Sequence, residues 1–94
     1  MTDIEIADQI TRKLKVRFKE LKEISWDSVG YVLNKNKQIS KLAFNNIPLK
    51  DIRVIIPFLL ELTHLDEIEF TDNEIKDITP LNEVKQLKKI KNSS

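Results

Sequence analysis

The sequence predicts an α/β fold: a short solenoid of parallel β-strands joined by return loops and one short return helix, capped by an N-terminal helix and a β-hairpin. Two observations carry that prediction. Apolar residues recur at helical spacing over residues 3–23, and a strand-like apolar triplet then starts at Ile39 and again at Leu65, with Leu87 and Ile90 beginning a third strand. A third narrows the alternatives, because 94 residues with 40% hydrophobic content make one small domain. The expected organisation is a single domain over 1–94, with a capping helix at 3–23 and a hairpin segment at 24–38. A first repeat at 39–64, a second at 65–86 and a partial third at 87–94 follow.

The helix rests on Ala7, Ile10, Leu14, Phe18 and Leu21, which share one face, while Arg12, Lys13, Lys15, Lys19 and Lys22 fall mostly on the others. Thr2 or Asp3 is placed to cap its start, where Asp3, Glu5 and Asp8 also suit the positive end of the helix dipole. A basic amphipathic helix can bind a membrane surface. Five acidic residues share this segment, however, so the helix reads as architectural.

The hairpin rests on Gly30 to Leu33, which alternate as a strand does, followed by the polar turn Asn34-Lys35-Asn36-Lys37. The chain then folds back onto Ile39–Phe44. In the repeats, Ile68 and Phe70 point inward and Glu67 and Glu69 outward. Asn73 stands where the chain leaves the strand and can hydrogen-bond loop groups that burial would otherwise orphan. Ile75, Ile78, Leu81 and Val84 return the chain along the opposite side, and Leu87 begins again. The first repeat departs in two ways. Ile47 takes the asparagine position, with Asn45 and Asn46 just before it, and four extra residues predict a short helix from Asp51 toward Leu62 with Pro57 near its first turns.

Residues 65–86 match the pattern L-x-x-L-x-L-x-x-N-x-L and so resemble a leucine-rich repeat. Asp77-Ile78-Thr79-Pro80-Leu81 is similar to the D-I-x-P-L return segment of the 22-residue subclass shared by bacterial internalins and a phosphatase-regulatory family. The resemblance implies structural roles for Asn73, Asp77 and Pro80. Trp26-Asp27-Ser28-Val29 resembles a W-x-x-V N-terminal cap, which implies that Trp26 and Val29 close the end of the core.

Chemistry-bearing motifs are sparse. His64 is the single histidine and has no evident nucleophile or orienting acid, so it reads as a solvent-facing or loop-capping residue. Asp72-Asn73-Glu74-Ile75-Lys76-Asp77 lacks the glycine and ligand spacing of a calcium loop. One glycine in the chain excludes phosphate-binding and nucleophile-elbow motifs. Catalytic, cofactor-binding and metal residues are therefore all expected to be none. With no cysteine, a net charge of +1, an acidic start and no long apolar run, the expectation is a soluble cytoplasmic protein that does not engage membranes, nucleic acid or small-molecule substrates.

The informative surface is the outward row of the strands. It holds Ser40, Lys41 and Ala43, then Asp66, Glu67 and Glu69, then Lys88, Lys89 and Lys91. Cross-strand pairing of Asp66 with Lys88, Glu67 with Lys89 and Glu69 with Lys91 is the structural reading. A charged strip for a protein partner is the functional one, with Lys41, Asp66, Glu67, Glu69, Lys88, Lys89 and Lys91 as partner-binding candidates. The predicted function is a non-enzymatic protein–protein interaction module, an adaptor or scaffold. The alternatives are weak homo-oligomerisation through the C-terminal end of the repeats, or a regulatory enzyme subunit, which the resemblance allows.

Overall fold

A computed structural model describes residues 2–71 and 73–93. Asp72, the first residue of the excluded calcium loop, and Ser94, the last of the partial third repeat, lie outside the described residues. Helix α1 spans Asp3–Leu14, and strands β1 (Lys19–Leu21), β2 (Val29–Leu33) and β3 (Ile39–Phe44) follow. A 3₁₀ turn at Ile52–Val54 leads into helix α2 (Ile56–Glu61), then β4 (Glu67–Thr71), a 3₁₀ turn at Thr79–Glu83 and β5 (Lys89–Ser93).

The five strands form one mixed sheet in chain order, β1-β2-β3-β4-β5. β2 and β3 are the antiparallel hairpin, and the β1–β2, β3–β4 and β4–β5 pairs are parallel. Among the described residues the architecture is a mixed α/β one, with a single sheet and two helices, which bears out the α/β class but corrects the expected solenoid: parallel and antiparallel pairs share one sheet over a common core. Ile6, Ala7 and Ile10 of α1 share one core with Ile56 and Leu59 of α2 and with Ile39, Leu42, Phe44, Ile68 and Phe70 of the sheet. Phe18, Phe44 and Phe70 stack through that core, with ring centroids 5.1 and 5.5 Å apart.

The helix is shorter than its periodicity predicts. It ends at Leu14, where Lys15 takes a left-handed conformation (φ 57°) and returns its N–H to the Thr11 carbonyl. Phe18 is buried as predicted, but from an extended segment rather than from the helix. Spacing alone could not separate these cases, since an aromatic that completes a helical stripe also fits a stack between Tyr31 and Phe44. The segment after the helix becomes β1, which pairs with β2 as Lys19–Gly30, Glu20–Tyr31 and Leu21–Val32. Gly30 is required there, because a β-carbon at this position would collide with the Lys19 carbonyl oxygen.

Thr2 is the N-cap and forms a capping box with Glu5, the Thr2 hydroxyl accepting the Glu5 N–H while Glu5 Oε1 accepts the Thr2 N–H. Asp3 instead accepts the Ile39 N–H at 2.8 Å, which ties the first turn of α1 to the start of β3.

Candidate functional site

The candidate site is the sheet face opposite the helices. Strand alternation turns Leu42, Ile68 and Ile90 to the core side and their neighbours outward. Parallel pairing sets Lys41 beside Glu67 and Glu67 beside Lys89, and the next outward row runs Ala43, Glu69, Lys91. The predicted partner-binding residues of adjacent strands are thus brought together. Asp66 anchors the register through its backbone, its N–H donating to Ser40 O and its carbonyl accepting from Lys88 and Lys89 N–H groups.

Exposure along this face is uneven. Lys41, Lys88, Lys89 and Lys91 are exposed, and Asp66 and Glu67 half-buried. Ala43 and Glu69 are buried, Glu69 at 7% exposure, which corrects the expectation of an outward, solvated row. The cause is local. Asn45, fully buried just beyond β3, donates from Nδ2 to Glu69 Oε2 at 2.7 Å and to the Ser25 carbonyl at 3.0 Å. Its Oδ1 accepts the Thr71 N–H at 2.9 Å. The other Glu69 oxygen lies 3.6 Å from Lys91 Nζ, so this carboxylate is held between an amide and an ammonium. Glu69 belongs more to the frame of the site than to its contact surface.

Trp26 is the second correction. Its side chain is 73% exposed and does not cap the core. The Ser25–Ser28 loop closes on itself, Ser28 Oγ accepting the Ser25 N–H and the Ser28 N–H donating to Ser25 O. Its carbonyls face the sheet, where Ser25 O accepts from Asn45 and Trp26 O from the Thr71 hydroxyl. With the backbone turned to the sheet, the indole is projected outward. Phe18 and Tyr31 occupy the end of the core instead, with ring centroids 5.6 Å apart.

On the return side, Asn73 donates to the Phe44 carbonyl and accepts the Ile75 N–H, both at 3.3 Å. Asp77 accepts the N–H and the hydroxyl of Thr79, and Asp51 accepts the N–H and the guanidinium of Arg53. Asp51 is the N-cap of the first 3₁₀ turn, Asp77 stands one residue before Ile78, the N-cap of the second, and Pro80 sits near the start of that turn. Both carboxyls are held below the ordinary value, Asp51 first by the Arg53 guanidinium and Asp77 first by the Thr79 hydroxyl. His64 is exposed, with Nδ1 3.2 Å from the Thr63 hydroxyl.

Reasoning from the residues missed the buried Asn45–Glu69 pair. Asn45 was legible only as a loop asparagine, and Glu69 followed the outward alternation. No protein-family model matches the chain, and no curated protein matches it. Among the described residues, no helix is long and apolar enough to cross a membrane, and no group of histidines and carboxylates is arranged to hold a metal ion.

Proposed function

We propose that this chain is a non-enzymatic protein-interaction module that presents its strand face to a partner protein. One observation carries the functional reading: Lys41, Glu67 and Lys89 stand side by side in register on a fixed sheet. Side chains held at strand spacing by a packed core form a defined pattern of charge at no further ordering cost to the backbone.

Positions at related spacings along the chain recur on both strands and return segments. Twenty-six residues separate Lys41 from Glu67, and 22 separate Glu67 from Lys89. Asp51 and Asp77, also 26 apart, each accept the N–H two residues on, Asp51 as the N-cap of a 3₁₀ turn and Asp77 one residue before the N-cap of the next. Backbone bonds join the two return paths, from Asn46 N to Thr71 O and from Glu74 N to Leu49 O.

The test is capture from cells with two baits, the wild type and the paired exchange Lys41→Glu with Glu67→Lys. The exchange preserves net charge and the β3–β4 cross-strand pair but rearranges the face. A partner retained by the wild type and lost from the exchanged variant supports the reading. Equal retention by both baits counts against this face.

A further inference from the structure

We propose that the end of α1 and the segment leading through β1 form a cationic docking surface for an extended acidic segment of a partner polypeptide. This surface is separate from the Lys41–Glu67–Lys89 row and does not depend on it. Residues 12–22 carry six cations and one carboxylate, whereas the rest of the chain carries ten cations and fourteen carboxylates. On a nearly neutral chain, positive charge is gathered in one place.

The fold concentrates it further. A helix running through residue 23 would spread Lys15, Lys19 and Lys22 around its sides. Instead α1 ends at Leu14, and the chain then leads into β1. The Thr11 hydroxyl donates to the Phe18 carbonyl at 3.4 Å, which holds the last turn, with Arg12 and Lys13, against the stretch that carries Arg17 and Lys19. Arg12, Lys13, Lys15, Arg17, Lys19 and Lys22 are all exposed, while Val16 is half-buried and Phe18 buried. Arg17 and Lys19 flank Phe18 and face away from the core, about 6.6 Å apart for an extended chain. Alternate carboxylates of an extended acidic segment repeat at that same spacing. Glu20, the one acid here, alternates to the side of Phe18 and stands beside Tyr31 in register.

Nothing inside the molecule answers this charge. The ion pairs among the described residues are Lys50–Glu74, Arg53–Asp51 and Lys91–Glu69, and none engages a cation of this segment. The helix dipole accounts for Arg12 and Lys13 in the last turn, but it fades within that turn and does not reach Arg17, Lys19 or Lys22. A lipid surface and a nucleic acid fit less well than an acidic peptide. Phe18 lies between Tyr31 and Phe44, Leu14 and Val16 pack on the core, and Leu21 lies beside Gly30. These apolar side chains are thus engaged within the fold instead of being offered to a bilayer or a base. A long polyanion would also run on over the acidic remainder of the chain. A short acidic segment meets the patch alone.

The experiment uses fluorescence anisotropy of a labelled synthetic peptide of alternating glutamate and serine, titrated with the 94-residue chain at low salt and at about 0.15 M. A peptide with lysine for each glutamate is the control. The acidic peptide is expected to bind, more weakly at the higher salt, and the lysine peptide not to bind. The variant R17E/K19E is expected to weaken binding at least roughly tenfold at low salt. The variant K76E/K85E makes the same change in net charge at two exposed lysines elsewhere and is expected to weaken it less than about threefold. Circular dichroism checks that each variant is folded, and R17Q/K22Q, at two positions outside helix and strand, serves if R17E/K19E is not.

Absence of binding at about 1 mM chain overturns the proposal, as does undiminished binding by R17E/K19E, which would leave these cations to complement the helix dipole and protect the strand edge. An equal loss in K76E/K85E reduces the effect to net charge and also overturns it. Duplex DNA, or vesicles of phosphatidylserine and phosphatidylcholine, that bind more tightly than the peptide would give the patch to phosphate groups instead. Light scattering that shows a salt-sensitive dimer excluding the peptide would give it to a second copy. The Lys41/Glu67 exchange leaves all six cations in place, so failure here is distinguishable from failure at the strand face.

Discussion

Asn45 is the residue on which the most structure depends. It satisfies the Ser25 carbonyl, the Thr71 N–H and the Glu69 carboxylate from one buried amide. Alanine here would leave a buried carboxylate with Lys91 alone and would take the Asn45 acceptor from the Thr71 N–H, while the Ser25 carbonyl keeps the Ser28 N–H. Each buried polar group left unpaired costs about 1–3 kcal/mol, and shape is not restored by a smaller side chain. Asn45→Ala is expected to lower stability by about 2–4 kcal/mol, read as a shift in the urea midpoint at constant slope. Trp26 gives the opposite expectation. With its indole 73% exposed, Trp26→Ala is expected to change stability by less than about 0.5 kcal/mol, measured the same way. Its native fluorescence is expected to peak near the emission of a solvated indole. A Trp26→Ala loss of several kcal/mol would show that the indole is packed after all.

At the scale of elements, β1 depends on one backbone approach. Gly30 lets the Lys19 carbonyl come close, and the nearest atoms to an added β-carbon include that carbonyl and the Leu21 side chain. Backbone cannot rotate out of the way as a side chain can. Gly30→Ala is therefore expected to detach β1 from β2 while the β2–β3, β3–β4 and β4–β5 pairs remain. Hydrogen exchange reads this directly, with protection lost at residues 19–21 and retained in β3 and β4. Uniform loss of protection would mean instead that β1 and the core unfold together. Helix α1 is fixed at its N-terminal end twice, by the Thr2–Glu5 capping box and by the bond from Ile39 to Asp3. That second bond joins the helix to a strand that begins 36 residues later in the chain.

For the whole molecule, the radius of gyration of 11.8 Å is close to the roughly 12 Å of a compact globule of this length. The helices and the sheet share one buried core and are expected to unfold in one transition. The charges set its pH dependence. Glu5, Asp51 and Asp77 all titrate below the ordinary carboxylate range in the folded chain, Glu5 first because the Thr2 N–H donates to it. A depressed folded pKa adds stability that is present above the unfolded value and is lost as pH falls through the folded one. Urea midpoints are expected to be flat from neutrality down to the carboxylate range near pH 4 and to decline below it. The variant E5Q/D51N/D77N is expected to show a shallower decline. An unchanged acid slope in that variant would assign acid sensitivity to other carboxylates.

Periodicity in the chain was enough to locate the hairpin, the strands around Leu42 and Ile68, and the register that sets Lys41 beside Glu67 and Lys89. Strand alternation and repeat spacing are local and countable, so these features follow from composition along the chain. The end of α1, the exposure of Trp26 and the burial of Glu69 follow from contacts between distant residues. Phe18 leaves the helical stripe because Phe44 offers a stacking partner 5.1 Å away. Trp26 turns outward because Asn45 and Thr71 hold the carbonyls of its loop against the sheet. Glu69 sinks because an amide 24 positions earlier in the chain meets it at 2.7 Å. In each case the deciding contact comes from a partner absent from the local window.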